Sequence, residues 1–236
     1  MSILLLARHG RSTSNTAGTL AGRSAGVLLD ERGRSQAMAL GERLRGLALD
    51  LVVHSPMDRC VETMQLALDS AGLQVEVCED GRFTECDYGQ WSGRSLAELG
   101  DEALWREVQQ HPSRVTFPGG ESMQEMADRM VDGVAEVNRR LHEAHPDAEP
   151  VWLLVSHGDP IKAVLSHCLG QPLDEFQRII VDPASLSVVR LPSPADTDGK
   201  PAVVAMNTTS GLVSRMVPGR AAPGPQLGGG LGSQQD

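Results

Sequence analysis

The sequence predicts an α/β protein, a three-layer sandwich in which helices flank a mostly parallel central sheet. Three observations predict it. Continuous apolar runs at residues 3–7, 51–53, 151–155 and 186–191 read as strands buried on both faces. Between these runs the apolar residues change to a helical period. Strands that alternate with helices need right-handed crossovers, and crossovers make neighbouring strands parallel.

Each element has its own local signal. After the first strand, Asp30 can cap a helix whose inner face carries Ala37, Leu40, Leu44 and Leu47. The second strand runs into Ser55-Pro56, which reads as an N-cap followed by proline at the first helical position. That helix should run to about Ala71 and end at Gly72. Residues 75–77 are a weaker strand candidate. The longest pattern starts at Glu121, where Met123, Met126, Met130, Val134, Val137 and Leu141 step by three or four residues. A methionine stripe can line an adaptable groove, but at this spacing core packing is the better reading. Asp159-Pro160 opens another helix after the strand at 151–155, and Gly170 closes it. Residues 203–206 are a weaker last strand.

Composition bounds the function. The 236 residues carry 21 Lys and Arg against 31 Asp and Glu, a formal charge of −10. This balance argues against a general nucleic-acid binder, which carries a broad basic surface. No apolar run approaches the roughly 20 residues that span a bilayer, so no membrane partner is expected. The first apolar stretch is short for a signal peptide and no basic segment precedes it. Cys60, Cys78, Cys86 and Cys168 form no CxxC pair and no zinc spacing. Reduced thiols in a cytoplasmic setting are expected. The catalytic domain is expected over residues 1–217. Residues 218–236 contain nine Gly or Pro in 19 positions and are expected to be a disordered tail.

In open parallel sheets, ligands bind beyond the carboxyl ends of the strands. Arg8-His9-Gly10 follows the first strand, His54-Ser55-Pro56 the second, with Arg59 just after it, and Ser156-His157-Gly158 the strand at 151–155. One such histidine is more often a hydrogen-bonded structural residue; two with two arginines reverse that balance. Arginine presents a planar fork that matches phosphate oxygens. A neutral imidazole can attack phosphorus. A phosphoryl group in transfer needs fixed cations around it, which this set supplies without a metal. The leaving alcohol still needs a proton from a carboxylic acid.

Leu6-Ala7-Arg8-His9-Gly10 resembles the signature of the histidine phosphatase superfamily, in its phosphoglycerate-mutase-like branch. Supporting matches are Asn15, Ser55-Pro56-Met57-Asp58-Arg59 with Thr63, the stretch Glu85-Cys86-Asp87-Tyr88-Gly89-Gln90-Trp91-Ser92-Gly93, Pro118-Gly119-Gly120-Glu121-Ser122, and Ser156-His157-Gly158. The resemblance runs from residue 3 to about 191, nearest to actinobacterial members called phosphomutases. It implies the fold of that branch and a phosphomonoester hydrolase acting through a phosphohistidine. His9 would be the nucleophile. Arg8, Arg59 and His157 would hold the phosphoryl oxygens. Glu85 would protonate the leaving oxygen and then activate water. Asn15 and the backbone around Gly22 would help bind the phosphate. The resemblance implies no metal and no cofactor, a small phosphorylated metabolite as partner, and a homodimer or homotetramer as open assemblies.

Departures from the pattern are Arg11, where an acidic residue is common, Arg23-Ser24-Ala25-Gly26 after Gly22, and Asp159, where a small residue is frequent. Trp91-Ser92-Gly93 resembles the hydrolase branch, and neither Asn-Lys nor a pair of arginines follows. A phosphatase is therefore favoured, including the branch that acts on α-ribazole phosphate or small phosphosugars. A phosphomutase is the alternative enzyme; a non-catalytic phosphate-binding regulatory module is the alternative of another class. A metallohydrolase is disfavoured because the carboxylates do not fall at ligand spacings and neither histidine has a partner at i+4. Loops at 19–29 and 86–120 are expected to carry specificity.

Overall fold

A computed structural model describes residues 1–213 and 217. The tail expected at 218–236 lies outside the described residues. In chain order the elements are β1 (Ser2–Arg8), α1 (Thr13–Ala17), α2 (Glu31–Leu44), β2 (Leu51–His54), α3 (Asp58–Ala71), β3 (Val77–Glu79), α4 (Leu96–Leu99), α5 (Ala103–Gln110), α6 (Met123–Ala144), β4 (Val151–Ser156), α7 (Gly158–Cys168), β5 (Leu186–Leu191) and β6 (Ala202–Thr208). The strands form one sheet in the order β3-β2-β4-β1-β5-β6. The β3-β2, β2-β4 and β4-β1 pairings are parallel; β5 runs against both β1 and β6.

Side chains alternate across a strand, so a strand covered on both faces must be apolar at every position. β1 does this. Ile3, Leu5 and Ala7 join the core under α2 and α3, with Leu40, Leu44, Met64, Ala67 and Leu68. Leu4 and Leu6 join the core under α6 and α7, with Met126, Met130, Val134, Ile161 and Leu165. The methionine stripe is core, as the spacing predicts: Met123, Met126 and Met130 are fully buried.

Several boundaries differ from expectation, each for a local reason. The helix α3 starts at Asp58 with Met57 as its N-cap, not at Ser55-Pro56. Ser55 Oγ pairs with His157 Nε2 at 2.7 Å and accepts from the Met57 N–H at 3.4 Å, and the chain turns helical only after Met57. Asp30 does cap α2, accepting from the Gly33 N–H, but that helix stops at Leu44 and Leu47 is buried beyond its end. Strand β3 forms at Val77–Glu79 rather than at 75–77, because these residues pair with Val52, Val53 and His54. Helix α6 begins after Ser122, which makes a capping box with Glu125. Helix α7 begins at Gly158 with His157 at the N-cap, one residue before Asp159-Pro160.

Candidate active site

Register brings the site together. Arg8 on β1 and Ser156 on β4 are parallel partners, so the next residues, His9 and His157, leave the sheet side by side. Their rings stand edge to face with centroids 5.3 Å apart. His54 pairs with Val155 one strand further out, which carries Ser55 to His157. Thr63 on α3 accepts from the Gly10 N–H at 3.0 Å and donates to the Arg59 carbonyl at 2.7 Å, tying the turn after β1 to the helix that holds Arg59.

A cavity of about 400 Å³ opens at this end of the sheet, lined by Arg8, His9, Asn15, Gly22, Arg59 and Glu85 among others. His9 Nδ1 lies 2.7 Å from the Gly10 carbonyl. That contact requires the proton on Nδ1, leaving a lone pair on Nε2. Arg59 Nε–H points at Nε2 from 3.3 Å, as a donor must. Burial, with the Arg59 and Arg8 charges beside it, holds the His9 imidazole well below its usual pKa of 6.5. The ring is therefore neutral and nucleophilic near neutrality.

The arginines are held in place and are not saturated. Arg59 Nη2 donates to the Gly22 carbonyl at 2.8 Å, and Arg8 Nη1 to the Val181 carbonyl at 2.7 Å. Arg59 Nη1 and Arg8 Nε are buried without a partner. Buried donors left unpaired are costly, and both of these belong to residues that line the one cavity. Gly22 has φ of 51°, and a Cβ there would meet Ser92 Oγ at 2.6 Å. Only glycine leaves that turn free to present its carbonyl to Arg59. Asn15, which lines the cavity, spends its Oδ1 on the N–H and hydroxyl of Ser12 in a capping box.

Glu85 enters from the segment after β3. Its Oε1 accepts from the Cys86 N–H at 2.9 Å. Burial and the nearby Asp159 carboxylate push its pKa up to about 7, against the opposing pull of Arg59, the Cys86 N–H and Arg8. A carboxyl that keeps its proton near neutrality can serve as an acid. Its backbone is clamped. Arg129 on α6 donates to the carbonyls of Arg82 at 2.6 Å, Thr84 at 2.8 Å and Glu85 at 3.0 Å. Glu121 grips Arg129 with both oxygens and also accepts from the Asp87 N–H at 2.8 Å. Burial pushes the Glu121 carboxyl up, but the bonds from Arg129 and Asp87 and the charges of Arg129 and Arg23 outweigh it, so its pKa lies below the usual range.

The expected residues therefore converge, with one difference. His157 is fully buried behind His9 and is not part of the cavity wall. Burial and the Arg59 charge lower its pKa. The residues left open by sequence also find places. Arg11 pairs with Asp30 at 2.6 Å, away from the cavity wall. Arg23 reaches the Glu85 carbonyl at 2.9 Å and Glu121 at 2.9 Å. Asp159 accepts from the Tyr88 hydroxyl at 2.8 Å and from Lys162 Nζ at 3.2 Å. Of the two loops expected to set specificity, residues 19–22, Tyr88 and Leu96 do line the cavity; Lys162, Gln177 and residues 179–182 line it too and were not foreseen. The i,i+3 spacing of Asp159 and Lys162 on one helix was the available signal for that pair. Among the described residues, no group of three or more His, Cys, Asp or Glu side chains could hold a metal ion.

An α/β sheet whose carboxyl end sets an imidazole of lowered pKa beside two arginines, with a carboxyl whose pKa is raised to about 7, brings together the groups that phosphoryl transfer uses. The pattern of the histidine phosphatase superfamily, branch 1, matches residues 4–209, and the chain belongs to that family. The match continues past residue 191 through β6. The chain is 34% identical over 194 residues to phosphoserine phosphatase 1 of Hydrogenobacter thermophilus, covering 80% of this chain and 86% of that protein. It is 31% identical over 186 residues to a probable phosphoglycerate mutase GpmB of Erwinia tasmaniensis, covering 78% and 82%. The solved mycobacterial glucosyl-3-phosphoglycerate phosphatase superposes with a TM-score of 0.74 at 27% identity, covering 87% of this chain and 98% of that one. Family membership and the phosphatase-named relatives support a phosphoric monoester hydrolase.

Proposed function

We propose that residues 1–217 form a metal-independent phosphatase that hydrolyses a small phosphorylated metabolite through a phosphohistidine on His9. The observation that carries this reading is the pair of unpartnered buried donors, Arg8 Nε and Arg59 Nη1, beside a histidine whose Nε2 is unprotonated. Phosphate oxygens would occupy those donors, the Asn15 amide and the backbone near Gly22. His9 Nε2 then attacks phosphorus as the ester P–O bond breaks. Glu85 gives its proton to the departing alkoxide and, now ionised, takes a proton from the water that attacks the phosphohistidine. His157 backs the His9 ring; for it to hold an oxygen directly, it must exchange its bond to Ser55.

Need for a protonated Glu85 fits an acid phosphatase. Hydrolysis is favoured over mutase action because Trp91-Ser92-Gly93 resembles the hydrolase branch and, among the described residues, Arg8 and Arg59 are the only arginines in the cavity wall. The free state of all four cysteines fits a cytoplasmic setting. The homodimer or homotetramer stays part of the proposal.

The test is phosphate release from a panel of small phosphomonoesters, with His9→Ala as control. The enzyme should release phosphate and form an acid-labile, alkali-stable phosphoenzyme. His9→Ala should do neither, a loss on the order of 10⁴-fold or more. A phosphoenzyme on the variant would reject His9 as nucleophile.

A further inference from the structure

The cavity holds a second polar set, Asp159, Lys162, Gln177 and Asp182. None of the four hydrogen-bonds to His9, Arg8, Arg59 or Glu85, so the phosphate donors leave them free for the rest of the substrate. Lys162 Nζ is fixed over the Phe176 ring at 5.2 Å, and donates to Asp159 Oδ1 at 3.2 Å and Gln177 Oε1 at 3.0 Å. An ammonium has three N–H donors, so one remains for a ligand acceptor. Asp159 accepts one bond on each oxygen, from Lys162 and from the Tyr88 hydroxyl, and each oxygen keeps a second lone-pair site. Asp182 Oδ2 accepts from Asn207 Nδ2 at 2.8 Å, which fixes a second carboxylate in the wall.

This set has one cation and two carboxylates. A leaving group that carries only a carboxylate gains one donor from Lys162 but meets one carboxylate more than there are cations in this part of the wall. A leaving group that carries an ammonium as well meets an acceptor for each of its charges. We propose that Lys162 and Asp159 form a recognition pair for a zwitterionic leaving group, so that the preferred substrates are O-phosphorylated α-amino acids. Lys162 takes the carboxylate with its third N–H, and the Asp159 carboxylate takes the ammonium. The pair is already assembled before substrate arrives, so little ordering cost attends its use. This inference rests on the reading of the cavity as the phosphomonoester site.

Four esters of a primary alcohol separate the charges. O-phospho-L-serine carries ammonium and carboxylate, 3-phosphoglycerate carboxylate only, phosphoethanolamine ammonium only, and glycerol 1-phosphate neither. Affinities are measured by calorimetry on full-length His9→Ala, which cannot consume them. A charge-assisted bond of this kind is worth roughly tenfold in affinity. Phosphoserine should bind tightest and phosphoglycerate at least about tenfold more weakly. Adding Lys162→Met should weaken phosphoserine and phosphoglycerate about tenfold, while phosphoethanolamine holds or gains. A merely structural role would weaken all four alike. Phosphoglycerate binding as tightly as phosphoserine, equal losses across the four in Lys162→Met, or no phosphoserine binding would each overturn the proposal. Turnover by the unmodified enzyme is scored separately. If it releases no phosphate from these four or from the wider panel while the affinity order holds, the phosphatase reading fails and the recognition pair stands.

Discussion

His9 and His157 meet edge to face, ring centroids 5.3 Å apart, because the residues before them are register partners on adjacent parallel strands. Two residues 148 positions apart in sequence are thus placed by sheet pairing alone. Burial and arginine charge lower both pKa values, so neither ring carries a proton's charge near neutrality. A cationic His9 could not attack phosphorus, and this shared environment prevents one.

Glu85 sets the alkaline side of the pH profile. It must be protonated to deliver its proton, and its pKa is raised to about 7. Phosphoenzyme formation from an alkyl phosphate should hold below about that pH and fall tenfold per unit above it. The acid limb belongs to His9, whose pKa lies below 6.5. Glu85→Gln should cost about 10²–10⁴-fold on alkyl phosphates and far less on p-nitrophenyl phosphate, whose phenolate leaves without help. Single-turnover rates on the two esters check this. Equal losses with an unchanged profile would reassign Glu85 to binding. Glu121 is not the substitute acid, because its oxygens are committed to Arg129, Arg23 and the Asp87 N–H.

Arg129 holds three carbonyls around Glu85 and should act through position. Lysine keeps the charge but cannot reach three acceptors with one nitrogen. Arg129→Lys should lower kcat on alkyl phosphates more than on p-nitrophenyl phosphate, with KM changed little. It should also cost about 1–3 kcal/mol of stability from carbonyls left unpaired. Thermal unfolding and the ester ratio together check both effects; a fallen Tm with an unchanged ratio would mean that Arg129 only stabilises.

Gly22→Ala places a methyl group 2.6 Å from Ser92 Oγ at a positive φ. Left-handed backbone alone costs about 1–2 kcal/mol for a residue with a Cβ. The carbonyl that orients Arg59 should shift, so vanadate inhibition and KM should both weaken while the His9 phosphoenzyme still forms. Inhibition constants and a melting curve measure this.

Removal of divalent ions should leave turnover intact, because the cations near His9 are Arg8 and Arg59. Vanadate, which adopts the five-coordinate geometry of phosphorus in transfer, should inhibit. Assays with and without a chelator decide; strict dependence on an added metal would point to a metallohydrolase.

The layers and the strand ends were legible in the sequence because they depend on local pattern. The buried strands were visible as continuous apolar runs, α2 and α6 as a helical period, α3 and α7 by their end signals, and the turns after β1 and β4 marked the site. Boundaries slipped where a side chain had a distant partner. Ser55 reads as an N-cap, but its hydroxyl reaches His157 and the helix opens only at Asp58; residues 75–77 read as a strand until β2 selects Val77–Glu79 instead.

By itself, then, the sequence determined the buried runs of β1 and β4, the apolar face of α6 and the chemistry that gathers after β1 and β4, since apolar runs and turn signals are properties of short segments. The tertiary structure alone decided that His157 stands behind His9, that Lys162 reaches Gln177 in the cavity wall, and that Arg129 grips the carbonyls beneath Glu85. Those relations join residues through sheet register, helix packing and backbone carbonyls. A carbonyl is the same at every position of a chain, so no residue type announces that it will be an acceptor.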